Sequence, residues 1–375
     1  MAGQAPQRVQ IWNGQTGWLI TKHEQVRALF ADPRVSHDTS NASYPHESAG
    51  FMQRARQGQS FVNMDDPEHA RMRRMVNSSF TAKRVLGLRE KIQHQIDSLI
   101  DSMLAGPKPV DLVEAFSLAV PTGMICLLLG VPDSRQGFVQ RAAETIIRQD
   151  TPPEVVQQVQ GEFLDYLEDL VRQKAEDPGE DLLSDLAMKN VANGDLTARE
   201  AAVTARLLLV AGHETTANTI SLSTALLLQH PEQLAELSDS DGLDLWSSAV
   251  EEFLRYESIA HIGLRRFALE DIELDGMTIR KGDGLMLSVD GGNRSPEVYE
   301  NPDTLDLHRN PRGHLAFGWG PHQCIGQSLA RLELKLALST LFTRIPTLRL
   351  ATTIDELDFK HDAIVYGLHS LPVTW

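Results

Sequence analysis

The stretch Phe317-Gly318-Trp319-Gly320-Pro321-His322-Gln323-Cys324-Ile325-Gly326 decides how this chain is read. It places one of the chain's two cysteines in a glycine-rich loop, directly ahead of a helical pattern of Leu329-Ala330-Arg331, Glu333-Leu334 and Leu336-Ala337-Leu338. That order sets Cys324 at or just before a helix N-terminus. Outward-pointing amides and the partial positive charge there favour a thiolate over a thiol. Gly318, Gly320 and Gly326 allow turns, and allow backbone to approach a flat ligand where a side chain would clash. A cysteine in a helix-entry turn is ordinarily a small buried structural residue, so the weight falls on what else the chain holds.

A thiolate facing a large planar group points to ligation of haem iron. The stretch resembles the haem-binding loop of the cytochromes P450, whose pattern Phe-Gly-x-Gly-x-His-x-Cys-x-Gly it matches at every fixed position. The resemblance implies Cys324 as axial thiolate of haem b, with Phe317, Gly318, His322 and Gly326 around the cofactor. It also implies a mainly α fold with small β-sheets. In that fold the haem lies between a long distal helix and the proximal helix that follows the cysteine loop.

At 375 residues and 42% hydrophobic content the chain can bury a large core. Length alone would suggest two or three domains, whereas the resemblance runs from the first hairpin onward and implies one domain over residues 1–375. A net charge of −16 disfavours nonspecific nucleic-acid binding and attachment to anionic membranes. Cys126 lies in the apolar run Met124 to Leu129 and reads as core. Two cysteines make no disulfide framework and suit a reducing cytoplasm. No basic segment leads into an apolar run at the start, and no apolar run is long enough to span a bilayer. The expectation is a cytoplasmic monomer of the soluble bacterial branch, with no membrane anchor and no nucleic-acid partner.

Arg8 to Lys22 alternates apolar and polar residues around Asn13-Gly14, a two-residue hairpin signal. Helical periodicity follows at about 23–31, 68–80, 81–104, 111–129, 133–148, 153–176, 180–190, 197–229, 231–238, 243–257 and 325–343. Thr197 and Glu200 have capping-box spacing at the start of the longest of these. Short strands are expected near 264–289 and beyond 346. Asp38 to Ser60 is the longest stretch without clear periodicity, so it is either a functional loop or poorly ordered. Two departures from the family stand out. Met1 to Gln7 is too short for the helix that usually precedes the hairpin. Gly291-Gly292 and Ser295 stand where alanines and an aspartate are usual, which predicts a looser turn.

The long helix carries Ala211-Gly212-His213-Glu214-Thr215-Thr216. A mid-helix glycine costs about 1 kcal/mol against alanine, a cost that makes sense if something passes close to the backbone. Glycine, acid and threonine together can also open a polar notch in the hydrogen-bond ladder. Taken alone, the pair reads more readily as an exposed glutamate beside a back-bonding threonine. A zinc-protease helix is excluded, because the second histidine position holds Ala217. The resemblance places Ala211 and Gly212 over the distal face of the haem. It also makes Glu214 and Thr215 the acid–alcohol pair that delivers protons during dioxygen cleavage.

His69 and Arg73 stand at i and i+4 and share a helix face. Buried carboxylates need charged or strongly donating partners. His69, Arg73, a strand arginine (Arg266 by register, rather than Arg265) and His322 resemble the family's clamp on the two haem propionates. Glu252 and Arg255 are three apart on a helix, ordinarily a surface pair. In the family this pair is buried and is joined from a later meander, for which Arg309 is the candidate. Arg71, Arg74, Arg331 and Lys335 are candidates for a basic patch that an acidic ferredoxin would meet.

The resemblance implies a haem-thiolate monooxygenase inserting one oxygen atom from O2 into a C–H or C=C bond of a medium-sized apolar molecule. Electrons would come from a ferredoxin and its reductase, since no flavin or nicotinamide domain is evident. Asp38 to Ser60, the helix face before Ala211, and Ser258 to Leu264 are the expected pocket lining. One alternative is a P450-type nitric oxide reductase taking electrons directly from NAD(P)H, which the front of the chain through Phe61-Val62-Asn63-Met64-Asp65 resembles. Glu214 argues against it, because those reductases lack the helix acid. Another is a non-catalytic haem-thiolate sensor or carrier, which would need no acid–alcohol pair.

Overall fold

The structure is a computed structural model that describes residues 2–55, 60–147, 151–239, 242–361 and 363–375. Its strands are β1 (Gln7–Gln10), β2 (Thr16–Ile20), β3 (Val35–Ser36), β4 (Val110–Asp111), β5 (Leu264–Ala268), β6 (Ile272–Leu274), β7 (Met277–Ile279), β8 (Gly284–Leu287), β9 (Arg349–Leu350) and β10 (Pro372–Thr374). The helices of the first half are α1 (His23–Ala31), α2 (Ala49–Ala55), α3 (Glu68–Asn77), α4 (Ala82–Leu86), α5 (Arg89–Ala105), α6 (Ala119–Leu129), α7 (Gln136–Ile147) and α8 (Pro153–Glu176). Those that follow are α9 (Leu182–Leu186), α10 (Ala198–Gln229), α11 (Pro231–Asp239), α12 (Asp244–Glu257), α13 (Val289–Asn293) and α14 (Gln327–Arg344). The chain is mainly helical with small sheets, and it forms two compact units.

The first unit comprises Met1–Arg74 and Ser248–Ile325. Its sheet runs in the order β1-β2-β8-β5-β3, parallel between β2 and β8 and antiparallel elsewhere. The apolar face of this sheet packs on α1 through Trp18, Ile20, Leu285 and Leu287 against Val26, Leu29 and Phe30. The expected hairpin forms, but with a three-residue loop. Gly14 N–H donates to Ile11 C=O at 3.0 Å, Ile11 N–H donates to Gln15 C=O at 2.8 Å, and Gly14 sits at φ +84°. That is a turn followed by a left-handed glycine, a longer alternative to the two-residue hairpin turn. Within the stretch that showed no periodicity, Ala49–Ala55 forms α2, while residues 56–59 lie outside the described residues.

The second unit comprises Met75–Ser247 and Gly326–Trp375. Its axis is α10, 32 residues long and mostly buried, with α6, α8 and α14 packed around it. The capping box at its start is made in both directions, Glu200 N–H to Thr197 Oγ1 at 3.1 Å and Thr197 N–H to Glu200 Oε2 at 2.7 Å. The helix expected over 81–104 is broken instead into α4 and α5 at Gly87, whose N–H closes on Lys83 C=O. Cys126 is fully buried on α6, and burial pushes its thiol up to about 12, as suits a structural residue. The small sheet β4-β10-β9 joins the C-terminal strands β9 and β10 to β4 from the first third of the chain. Among the described residues no helix is long and apolar enough to cross a membrane.

Candidate functional site

The cysteine loop belongs to the first unit and is closed by its own backbone. Gly318 N–H donates to Leu315 C=O, and Cys324 N–H to Phe317 C=O, both at 2.8 Å. Gly318 and Gly320 take φ +66° and +75°, a region glycine enters without a Cβ clash. A Cβ on Gly320 would lie 2.9 Å from Phe30 O, so the loop is pressed onto α1 there. The Arg27 guanidinium covers the Trp319 ring at 3.8 Å. On the other side, nothing lies within 4 Å of a Cβ built on Gly318, and Cys324 is exposed. The loop is pinned behind and open in front. In chain order α14 begins three residues after Cys324, with Gly326 as its N-cap.

Behind the loop is a buried ionic network. Glu252 and Arg255 on α12 are both 0% exposed. Arg255 Nε and Nη2 each donate to the Glu252 carboxylate at 2.7 Å, and Arg309 Nε adds a third bond at 3.0 Å. Arg309 is therefore the third member. Arg255 Nη1 also donates to Asn293 C=O at 3.0 Å and Pro302 C=O at 2.8 Å. Asn293 carries the connection onward, accepting from Leu315 N–H at 2.6 Å, two residues before the loop's Phe317. The expected slack turn here is a tight one. Gly292 N–H closes on Ser288 C=O at 3.0 Å, and a Cβ on Gly292 would sit 2.7 Å from Leu315 Cδ1. Gly292 lets α13 pack against Leu315, while a Cβ on Gly291 would instead meet Ser288 Oγ at 2.8 Å and Thr21 Cβ at 3.1 Å.

His69, Arg73, Arg266 and His322 gather at this same unit. His69 is 2% exposed, and its Nδ1 is 3.0 Å from Asp66 Oδ1. Its Nε2 is buried with no partner among the described residues. Arg73 donates to the Gln323 carbonyl, next to Cys324. Arg266 joins the cluster while Arg265 turns to Glu47 at 3.9 Å. His322 stacks on His69 with centroids 3.7 Å apart. Burial first, then the charges of His69, Arg266 and Arg73, push His322 down to about 3. Sequence reasoning missed two neighbours. His37 stacks on the other face of His322 and accepts from Arg266 Nε at 3.0 Å. Tyr44 hydrogen-bonds Arg266, and burial pushes its phenol up to about 12. Neither belonged to a motif, and both lie in the stretch without periodicity or at its edge.

The remaining candidates, Ala211, Gly212, Glu214, Thr215 and Gly326, belong to the second unit. Midway along the mostly buried α10, Ala211 is exposed and Val210, Gly212 and Thr215 are partly so, which opens one face. Thr215 O–H donates to Ala211 C=O at 2.7 Å, the back-bonded arrangement. Glu214 points elsewhere. Its carboxylate accepts from Lys360 Nζ and, at 3.3 Å, from Asn218 Nδ2, while Lys360 also donates to Asn218 Oδ1 at 3.2 Å. Acid and alcohol, adjacent in sequence, thus have separate partners. Lys360 was not among the expected site residues, being 146 positions from Glu214. Of the four basic-patch candidates, Arg71 pairs with Glu68 at 2.9 Å, Arg331 with Gln327 at 2.9 Å, and Lys335 donates to Ser247 Oγ at 3.3 Å.

A family model described as Cytochrome P450 matches residues 153–346. The chain is 50% identical over 370 residues to Cytochrome P450 GfsF of Streptomyces halstedii, spanning 98% of this chain and 89% of that relative. The crystal structure of GfsF superposes with a TM-score of 0.95, covering 100% of this chain and 94% of the other. Pentalenic acid synthase of Streptomyces avermitilis is 44% identical over 100% of this chain and 92% of its own length. The crystal structure of the mycinamicin VIII C21 methyl hydroxylase of Micromonospora griseorubida, bound to mycinamicin VIII, is 39% identical with a TM-score of 0.91. It covers 99% of this chain and 94% of that one.

Proposed function

The chain belongs to the cytochrome P450 family as one of its monooxygenases, and on that premise we propose that it oxidises a medium-sized apolar secondary metabolite. One oxygen atom of O2 enters a C–H or C=C bond and the other leaves as water, with two electrons from a ferredoxin and its reductase and two protons. Support for the substrate class comes from relatives named for pentalenic acid and mycinamicin VIII. The observation that carries the reading is the cysteine loop, braced from behind by Glu252, Arg255 and Asn293 and exposing Cys324 in front.

The residues present fit haem b. Cys324 offers a thiolate, Gly318 leaves room for a flat group, and the unpartnered Nε2 of buried His69 is a polar atom that a carboxylate would satisfy. Cys324 would hold the iron through its thiolate, and His69, Arg73, Arg266 and His322 would receive the two propionates. Phe317 and Gly318 would lie against the macrocycle. When bound, haem supplies dioxygen activation, which thiolate donation favours. The chain's own part is proton handling. Thr215 Oγ1, its own hydrogen resting on Ala211 C=O, would accept a proton at the open face of α10, and Glu214, held apart by Lys360 and Asn218, would be the acid that supplies it.

Turnover with ferredoxin, its reductase and isotopically labelled dioxygen tests the reading. One labelled oxygen atom should appear in a product from a panel of medium-sized apolar secondary metabolites. Reduction of nitric oxide with NADH alone, without ferredoxin, would instead establish the reductase alternative.

A further inference from the structure

Three imidazoles stack in the first unit, in the order His37, His322, His69. Centroids are 3.4 Å and 3.7 Å apart and ring planes lie within 12° and 19°. The two outer rings are not alike. His69 is tied to Asp66 and keeps Nε2 without a partner among the described residues. His37 is held at its backbone N–H, at both ring nitrogens and on one ring face. Its backbone N–H donates to Asp65 Oδ1 at 2.8 Å, while the other Asp65 oxygen accepts from Ser36. Its ring Nε2 accepts from Arg266 Nε at 3.0 Å, so the proton sits on Nδ1, where the backbone of Val62 takes it. Burial, then Arg266 and His322, hold this ring neutral by pushing its ionisation far below the usual histidine range.

We propose that His37 is a positioning residue for the carboxylate end of the bound cofactor. It fixes the plane of His322 with its ring face and the rotation of Arg266 with its ring nitrogen. The inference rests on reading His322 and Arg266 as propionate-binding groups. With Nε on His37 and Nη1 on the Arg265 carbonyl, Arg266 has part of its five-donor fork committed and its orientation set, leaving N–H groups for a carboxylate. His322, held between two rings, keeps its edge for the same purpose. Ordering these groups before binding removes an entropic cost that the haem would otherwise meet.

The test is the rate of haem transfer from the holoenzyme to excess apomyoglobin for His37→Ala, His37→Asn and His37→Phe, alongside thermal melting of the haem-free proteins. His37→Ala should lose haem about tenfold faster, the factor set by one charge-assisted hydrogen bond. His37→Phe, which keeps a ring face but no acceptor, should recover only part of that. His37→Asn, which keeps an acceptor but no ring, should recover a different part. The haem-free proteins should melt close to wild type. Transfer at the wild-type rate in His37→Ala would overturn the proposal. So would full recovery in His37→Phe together with a matching fall in melting temperature, because His37 would then be filler. The reduced carbon monoxide spectrum separates the premise from the inference. It should stay thiolate-like in all three variants, and its absence from the wild type would remove the haem reading itself.

Discussion

Replacing Arg255 by methionine tests whether the buried network behind the cysteine loop carries the first unit. Glu252 is fully buried and takes four donors: Arg255 twice, Arg309 Nε at 3.0 Å and Asp306 N–H at 3.1 Å. Arg255→Met removes two of them and leaves a carboxylate in the core. Breaking a buried pair in this way costs about 3–5 kcal/mol. The carbonyls of Asn293 and Pro302 lose Arg255 as donor, which adds about 1–3 kcal/mol for each one left unpaired. That total rivals the roughly 5–15 kcal/mol by which folded proteins are stable, so Arg255→Met should be the least stable of the series, folded only marginally and unfolding at the lowest urea concentration. Arg309→Ala leaves the Arg255 bonds intact and should cost only about 1.5–3 kcal/mol. The decisive variant is Glu252→Met with Arg255→Met. By removing the orphaned charge as well, it should be more stable than the single change. Urea unfolding followed by circular dichroism, with equal m-values required across the series, reads the differences. If Arg255→Met unfolds within about 1 kcal/mol of wild type, or the double variant gains nothing over it, the burial argument is wrong.

The two loop glycines should separate strain from clash. Gly318→Ala adds left-handed strain of roughly 1 kcal/mol and puts a methyl where the flat group would lie, whereas Gly320→Ala adds the same strain and also drives a methyl to 2.9 Å from Phe30 O. Both should lose haem, but Gly320→Ala should lower the melting temperature of the haem-free protein further; equal haem-free melting in the two variants would count against the pinned loop. Lys360→Met takes away the cation on Glu214, so more of the electrons consumed should appear as hydrogen peroxide, and Lys360→Arg should stay near wild type. Unchanged peroxide in Lys360→Met would count against the proposed proton role of Glu214 under the control of Lys360. Burial pushes the Glu257 carboxyl up to about 7, against an opposing pull from Arg294. Because its folded pKa is raised, the native state holds the proton longer than the unfolded chain does. Stability from this group is therefore full below about 4.5 and is lost as pH climbs to about 7. Glu257→Gln should flatten that decline and gain stability above pH 7, as read by melting against pH; a parallel pH profile would refute it.

What could be read in the sequence was local. The cysteine loop is legible because its glycines and cysteine are contiguous, and the start of α10 because the capping box is complete within four residues. Side-chain periodicity reports which face a helix buries, but not which distant loop meets that face. For that reason Lys360, which reaches Glu214 from the C-terminal segment, left no signal near α10. His37 and Tyr44 act through loop geometry, which has no period. The break at Gly87 was hidden because buried Ile92, Ile96 and Ile100 continue an apolar spacing begun at Val85. One glycine's cost of about 1 kcal/mol is too small to mark a boundary by itself. Arg309 was placed only through the family resemblance, since its partner Glu252 lies 57 residues earlier.

The most direct test of the whole account is the carbon monoxide difference spectrum of the dithionite-reduced protein, recorded beside Cys324→Ala. The account predicts the red-shifted band of a thiolate-ligated haem in the wild type and its loss in the variant. A well-folded, haem-supplied wild type without that band, or a variant that keeps it, would contradict Cys324 as the ligand and take the proposed oxygenase chemistry with it.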